Sequence, residues 1–247
     1  MTSPRELALL RLVAQRLAGP RAATATDAIR LLTAVQGQDL PGALVSVALR
    51  TAGGTRAAVG AALDAGDVVR SWPMRGTLHL VPRRLDREEA LGELALRYFR
   101  GHGPATVKDL ARWAGLRVSD VRAGLARAGP ELTALDVEGT AHWMAPETPD
   151  RLAGCRAEAG RVLLLPGFDE LVLGYADRSC TVPPAFADRI VPGGNGMFRA
   201  TVVSGGEVAA VWRRAGRGAG ATIAVEPFAE LSPAVSEDVL RLFAALP

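Results

Sequence analysis

Thr106-Val-Lys-Asp-Leu-Ala-Arg-Trp-Ala-Gly115-Leu-Arg-Val-Ser119-Asp-Val-Arg122-Ala-Gly-Leu-Ala-Arg127-Ala128 reads as two short helices broken by one turn. Thr106 and Asp109 have the spacing of a capping box, with aspartate in place of the usual Glu or Gln. Gly115-Leu116 supplies the turn, and Ser119 is placed to cap the helix that follows. Upstream, Leu91, Leu94, Ala95 and Tyr98 fall on one face of a helix that ends at Arg100, before Gly101-His-Gly-Pro104. Downstream, residues 132–137 and 140–144 flank Glu138-Gly139 as two strands of a hairpin. A helix, a helix-turn-helix and a hairpin make a winged-helix pattern, a unit that either places its last helix in a DNA groove or serves protein contacts. On that helix Arg122 and Arg127 are placed to reach phosphates, with Arg117 at its mouth.

The first eighty residues repeat the theme. Leu7, Leu10, Ala14 and Leu17 recur at helical spacing. Thr26 or Asp27 can cap a second helix with Ile29, Leu32 and Val35 on one face. Asp39 is positioned to cap a third, through Arg50, with Pro41 in its first turn. A fourth helix spans 56–65, and strands at 68–70 and 77–81 flank Pro73-Met-Arg-Gly76. Beyond Pro146 the pattern turns strand-like at 162–165, 171–173, 198–203 and 207–213, with Gly205-Gly206 as a tight hairpin and a further strand at 221–225. Ser232 caps a final helix bearing Val235, Val239, Leu242 and Phe243. The fold class expected is α+β: tandem winged-helix modules at 1–82 and 83–146, then a small β-rich, barrel-like domain at 147–247.

Bulk properties narrow the function classes. At 49% hydrophobic and 22% charged residues the chain has an ordinary globular balance. No apolar run approaches the roughly 20 residues that span a bilayer, and the amino terminus lacks the layout of a signal peptide, so a cytoplasmic location away from membranes is expected. Cys155 and Cys180 are the only cysteines, too few for a disulfide framework or a cysteine zinc site. His79, His102 and His142 lack metal-ligand spacing, and Gly193-Gly-Asn-Gly196 has no following Lys-Ser/Thr, so it is not a phosphate loop. Residues 1–127 carry 19 Lys+Arg against 11 Asp+Glu, whereas residues 128–247 carry 10 against 15. That asymmetry points to a basic face for a polyanion.

Two further blocks carry a resemblance. Gln36-Gly-Gln38 precedes the Asp39-capped helix, and Arg70-Ser-Trp-Pro-Met-Arg-Gly-Thr-Leu-His-Leu-Val-Pro82 follows some thirty residues later. Both resemble the amino-terminal part of the winged-helix DNA glycosylases, the AlkZ-like enzymes that excise N7-alkylated purines and unhook crosslinks. Leu165-Pro-Gly-Phe-Asp-Glu170, Gly174-Tyr-Ala-Asp-Arg178 and Val191-Pro-Gly-Gly-Asn-Gly-Met-Phe198 resemble the carboxy-terminal part of the same family. The family usually carries three winged helices. This chain passes from Val81-Pro82 through Arg83-Arg84 to what resembles the last of them, so a middle module is expected to be missing.

The resemblance implies that Gln36 and Gln38 sit at the scissile glycosidic bond of double-stranded, damaged DNA and position the hydrolytic water. Arg75, by its place at a turn, and Arg117, Arg122 and Arg127, by their place on the last helix, are expected to hold the DNA together with His79. Neither metal nor organic cofactor is implied, and a monomer is expected. Glutamine suits the task, because its carbonyl oxygen accepts from water while its NH₂ donates elsewhere. At i,i+2 the two side chains share a face only if the backbone is extended. Four readings stay open at the level of sequence: Trp72 packs beneath the hairpin or stacks on a base, His79 packs in the core or touches the DNA backbone, Asp39 caps a helix or acts as a base, and Asp169-Glu170 form an acid pair or an ion-pair cluster with Arg178. The alternative function is a non-catalytic winged-helix DNA-binding protein or regulator.

Overall fold

The computed structural model describes residues 3–74, 77–81, 87–216 and 221–246. Arg75 lies outside them, and so does the crossover at 82–86.

The first unit contains α1 (Pro4–Ala14), α2 (Ala25–Leu32), β1 (Val35–Gln36), α3 (Leu40–Leu49), α4 (Arg56–Asp64), β2 (Val69–Met74) and β3 (Thr77–Val81). Ser3, Thr24, Asp39 and Thr55 each accept a backbone N–H of the following helix through their side chains. Asp39 is therefore a helix cap, its carboxylate taken up by the Gly42 amide at 3.2 Å. The expected continuation of the second helix to Val35 does not occur. Thr33 takes φ 70°, which ends α2 and turns the chain into β1. β1 pairs antiparallel with β3, and β3 with β2, giving the order β1-β3-β2. Ile29, Leu32, Val35, Val47, Val59 and Leu80 close the core of this unit.

The second unit is α5 (Arg87–His102), α6 (Val107–Ala114), α7 (Val118–Ala128) and the hairpin β4 (Thr133–Val137) with β5 (Thr140–Met144). The Thr106–Asp109 capping box is complete in both directions, and Gly115 ends α6 in the left-handed region at φ 67°. The N-cap of α7 is Arg117, which makes no side-chain cap bond, so Ser119 lies inside the helix instead of capping it. Glu138 and Gly139 both have positive φ, the turn that matches strand twist in a two-residue hairpin. Tyr98, Phe99, Leu110, Trp113, Val121 and Leu125 fill the core.

The remainder is α8 (Thr148–Ala159), β6 (Leu163–Leu165), α9 (Glu170–Leu173), α10 (Ala187–Ile190), β7 (Ala200–Ser204), β8 (Glu207–Ala215), β9 (Thr222–Pro227) and α11 (Pro233–Ala244). Residues 171–173, expected as strand, form α9 because the Asp169 carboxylate accepts the Leu171 amide and starts a helical turn. The antiparallel sheet β6-β7-β8-β9 is open and does not close into a barrel among the described residues. Its two faces are covered by helices, which removes the need for closure. Leu9, Leu12 and Val13 of α1 and Leu152 of α8 pack against Leu165, Val203 and Val211 on one side. On the other, Val239 and Phe243 of α11 meet Leu164, Val202, Ala210 and Trp212. The first helix thus shares its core with the carboxy-terminal sheet. No helix among the described residues is long and apolar enough to cross a membrane.

Candidate functional site

Gln36 is the last residue of β1, directly opposite His79 on β3, and His79 in turn faces Ser71 on β2. Directly opposed antiparallel residues bring their Cβ atoms to about 5 Å on one face. Gln36, His79 and Ser71 therefore form a polar row across the sheet, while Val35 and Leu80 occupy the opposite, core-facing side. Gln36 is 9% exposed and His79 fully buried. Among the described residues no donor reaches Gln36 Oε1. A buried carbonyl oxygen without a donor is uncommon enough to call for an explanation.

Gly37 is buried and Gln38 is exposed. The Gly37 carbonyl accepts from Arg70 Nε at 3.2 Å and Nη2 at 2.9 Å. That fork holds the peptide between the two glutamines and ties it to β2. Asp39 then starts α3. Sequence reasoning noted Arg70 only as part of a longer block, and its role depends on β2 lying beside the glutamine turn.

The far end of α3 is anchored in the interior. Arg50, its C-cap, is fully buried and binds Asp169 in a fork, Nη1 to Oδ2 and Nη2 to Oδ1, both 2.9 Å. Ser46 Oγ donates to the same carboxylate at 2.8 Å, and Arg50 Nη2 also donates to Gln15 Oε1 at 2.7 Å. Gln15 Nε2 donates to Tyr175 Oη, which donates to the His102 carbonyl. Next to Asp169, Glu170 accepts from Trp113 Nε1 at 2.8 Å and lies 3.4 Å from His102 Nε2. Asp169 and Glu170 thus belong to a buried ion-pair cluster in which Arg50 forks Asp169. Arg178 instead donates to the Val172 carbonyl. One polar network joins α1, α3, α5, α6 and the 169–175 segment.

Burial by itself pushes the Asp169 carboxyl upward, but the Arg50 charge and the hydrogen bonds from Arg50, the Leu171 amide and Ser46 outweigh it, so its pKa is lowered from 3.8. A carboxyl lowered on folding stabilises the native state fully above its unfolded value, and that stabilisation is lost as pH falls through the folded value. The wild type is therefore expected to lose stability on acidification below about pH 4 by a component missing in Asp169→Asn. Urea denaturation across an acid series measures it.

The cationic candidates are spread over the second unit. Arg117 has an 81% exposed side chain and pairs with Asp120 at 3.2 Å. Arg122 is exposed and, with Val118, Lys108 and His142, lines a cleft of about 550 Å³ between α7, the β4–β5 hairpin, the start of α6 and the 176–180 segment. Deeper in the same cleft Arg11 stacks on Tyr175 with its Cζ 3.6 Å from the ring centroid and donates to Cys180 Sγ at 3.0 Å. Arg127 is exposed on another side of α7, where its stem runs against Gly92 of α5. His79 is brought to Gln36 and is closed off from solvent. No cluster of three or more His, Cys, Asp or Glu able to hold a metal occurs among the described residues.

A family model described as DNA glycosylase AlkZ-like matches residues 29–85 and 83–246. Its two segments meet at 83–85, where a middle module is expected to be missing. The interstrand DNA cross-link repair glycosylase of Streptomyces sahachiroi is 30% identical over 128 residues, 51% of this chain and 34% of that protein. The match thus spans about a third of that relative's length. The solved structure of Streptomyces sahachiroi DNA glycosylase AlkZ superposes with a TM-score of 0.82 over 98% of this chain and 96% of that one, at 19% identity. At that identity the likeness speaks for the fold.

Proposed function

The chain belongs to the AlkZ-like DNA glycosylase family, and from that premise we propose that it hydrolyses the N-glycosidic bond of N7-alkylated purines or of crosslinks built on them, in DNA repair or self-resistance to a genotoxin. The helix-and-hairpin units at 1–82 and 83–146 are taken as winged-helix modules, with 147–247 as the third part. The observation that carries the reading is the Gln36 carboxamide oxygen, buried without a donor among the described residues, in a clamped turn whose second glutamine, Gln38, is exposed.

The chemistry asks little of these groups. Alkylation at N7 makes the purine cationic, so when the C1′–N9 bond breaks its electron pair neutralises the departing base. Water adds to C1′ and releases one proton, leaving neutral alkylpurine and an abasic sugar. What remains is to hold that water and favour positive charge on the sugar, which is positioning and electrostatics. Gln36 Oε1 accepts from the water, and Gln38 engages it from the solvent side. His79 packs beside Gln36 and fixes its orientation, a role different from direct contact with DNA. Extrusion of the base is not required, because bulky adducts need not enter a closed pocket.

Lys108, Arg117 and Arg122 surround the outer end of α7 and are assigned to phosphates, with Arg127 on a separate face and Arg75 proposed for the same task from the sequence alone. Arg122→Ala is expected to weaken binding to all duplexes alike and to reduce the salt slope by about one, read from titrations at several salt concentrations. The function itself is tested by abasic-site formation on duplex carrying 7-methylguanine. Salt-dependent binding with no base release would favour the non-catalytic DNA-binding alternative.

A further inference from the structure

The cleft between α6, α10 and the glycine-rich segment 193–198 has no part in the chemistry above. It encloses about 550 Å³, within the range of roughly 300–1,000 Å³ that holds small organic ligands. Val182, Ile190 and Val191 line it with apolar surface, and Phe198, Arg178 and Arg112 complete its walls. The Arg178 guanidinium lies 5.1 Å from the Phe198 ring centroid, and the Phe168 ring lies 6.0 Å from Phe198 on a tilted plane. Gly194 and Gly196, at φ 64° and 77°, face open space on the rim. Two acids also line the cleft: Asp188 accepts the Gly193 amide at 2.7 Å and Asp177 the Ser179 amide at 2.8 Å. Arg112 and Arg178 share the lining with Asp177 and Asp188, so the cleft is balanced in charge.

Backbone contacts tie this cleft to the glutamine turn. A Cβ on Gly167 would fall 2.7 Å from the Phe198 carbonyl, and one on Gly42 would fall 3.5 Å from the Gly167 carbonyl. Gly42 is in the first turn of α3, whose cap, Asp39, follows Gln38. Between these contacts Phe168 is held at φ 60°, an outlier for a bulky side chain. The next residue, Asp169, both caps α9 and binds Arg50, which fixes that unusual geometry.

We propose that the cleft walled by Phe198, Arg178 and Arg112 takes the planar aromatic part of a base adduct while the neighbouring glutamine turn works at the sugar. The inference rests on the glycosylase reading and names where in this chain preference for large aromatic adducts resides. An aromatic ring already stacked by a guanidinium, over an aliphatic floor, offers a further planar group both dispersion and π contact.

The test uses the full chain with Ala187→Trp, which fills the cleft from the exposed face of α10, and Phe198→Ala, which removes its wall. Equilibrium binding and base release are measured on duplexes carrying 7-methylguanine, a fused-ring aromatic N7 adduct, or no damage. The wild type should prefer the aromatic adduct, and both variants should lose about ten-fold of that preference with 7-methylguanine binding and release unchanged. Variants that retain the wild-type preference, or that lose both lesions equally, overturn the proposal, as does a wild type with no preference. If the wild type releases neither base but its binding preference exists and falls in both variants, the cleft stands and the catalytic reading fails.

Discussion

Gln36→Ala and Gln38→Ala are each expected to lower single-turnover release of 7-methylguanine by about a hundred-fold or more, the usual loss for one preorganised polar group, with duplex binding nearly unchanged. Gln36 makes the sharper case. Its carboxamide is almost wholly inside the sheet, so truncation alters no exposed charge and no phosphate contact. Gln36→Glu supplies a second readout. A carboxylate in that buried position would stand beside His79 and be costly to ionise, so activity should become steeply pH-dependent. Release by Gln36→Ala at the wild-type rate would mean that the buried amide is a packing residue, and the enzymatic reading would then rest on Gln38 alone.

Arg50→Met is expected to cost about 3–5 kcal/mol of stability, the usual penalty for stranding one member of a buried ion pair, measured by urea denaturation. Asp169 would keep the Ser46 hydroxyl and the Leu171 amide but lose its fork in a site that is about 1% exposed. Pairing that change with Asp169→Leu should restore much of the loss, since a hydrophobic replacement of the whole pair removes the uncompensated charge. A double variant as unstable as the single would show that the network acts through shape and hydrogen bonding to Gln15 and Tyr175. The pair also matters to the site, because it fixes the end of α3 opposite to the one that carries the glutamine turn.

Much of this molecule could be read in one dimension because the governing forces are local. The Thr106–Asp109 box, the Gly115 turn, the Glu138-Gly139 and Gly205-Gly206 hairpins and the Ser232 cap each depend on residues within four positions of one another. The misreadings have physical causes of the same kind. Val35 continued the apolar period of α2, but Thr33 breaks that helix and β3 claims Val35 and Gln36 for a sheet. Leu171–Leu173 looked like strand by composition, yet the Asp169 cap makes it helix. The helix α8, absent from the expected elements, carries a non-helical Cys155 inside it.

The sequence by itself determined the α+β class, the Asp39, Thr106–Asp109 and Ser232 caps, the hairpin turns and the family, because each is written in adjacent residues or a short motif. Only the tertiary structure decided that His79 lies opposite Gln36, that Arg70 clamps Gly37, and that Arg50 answers Asp169 across 119 positions. Those pairings are matters of which surfaces exclude water together, and a buried charge finds its partner through the packing of whole elements, to which the spacing along the chain gives no clue.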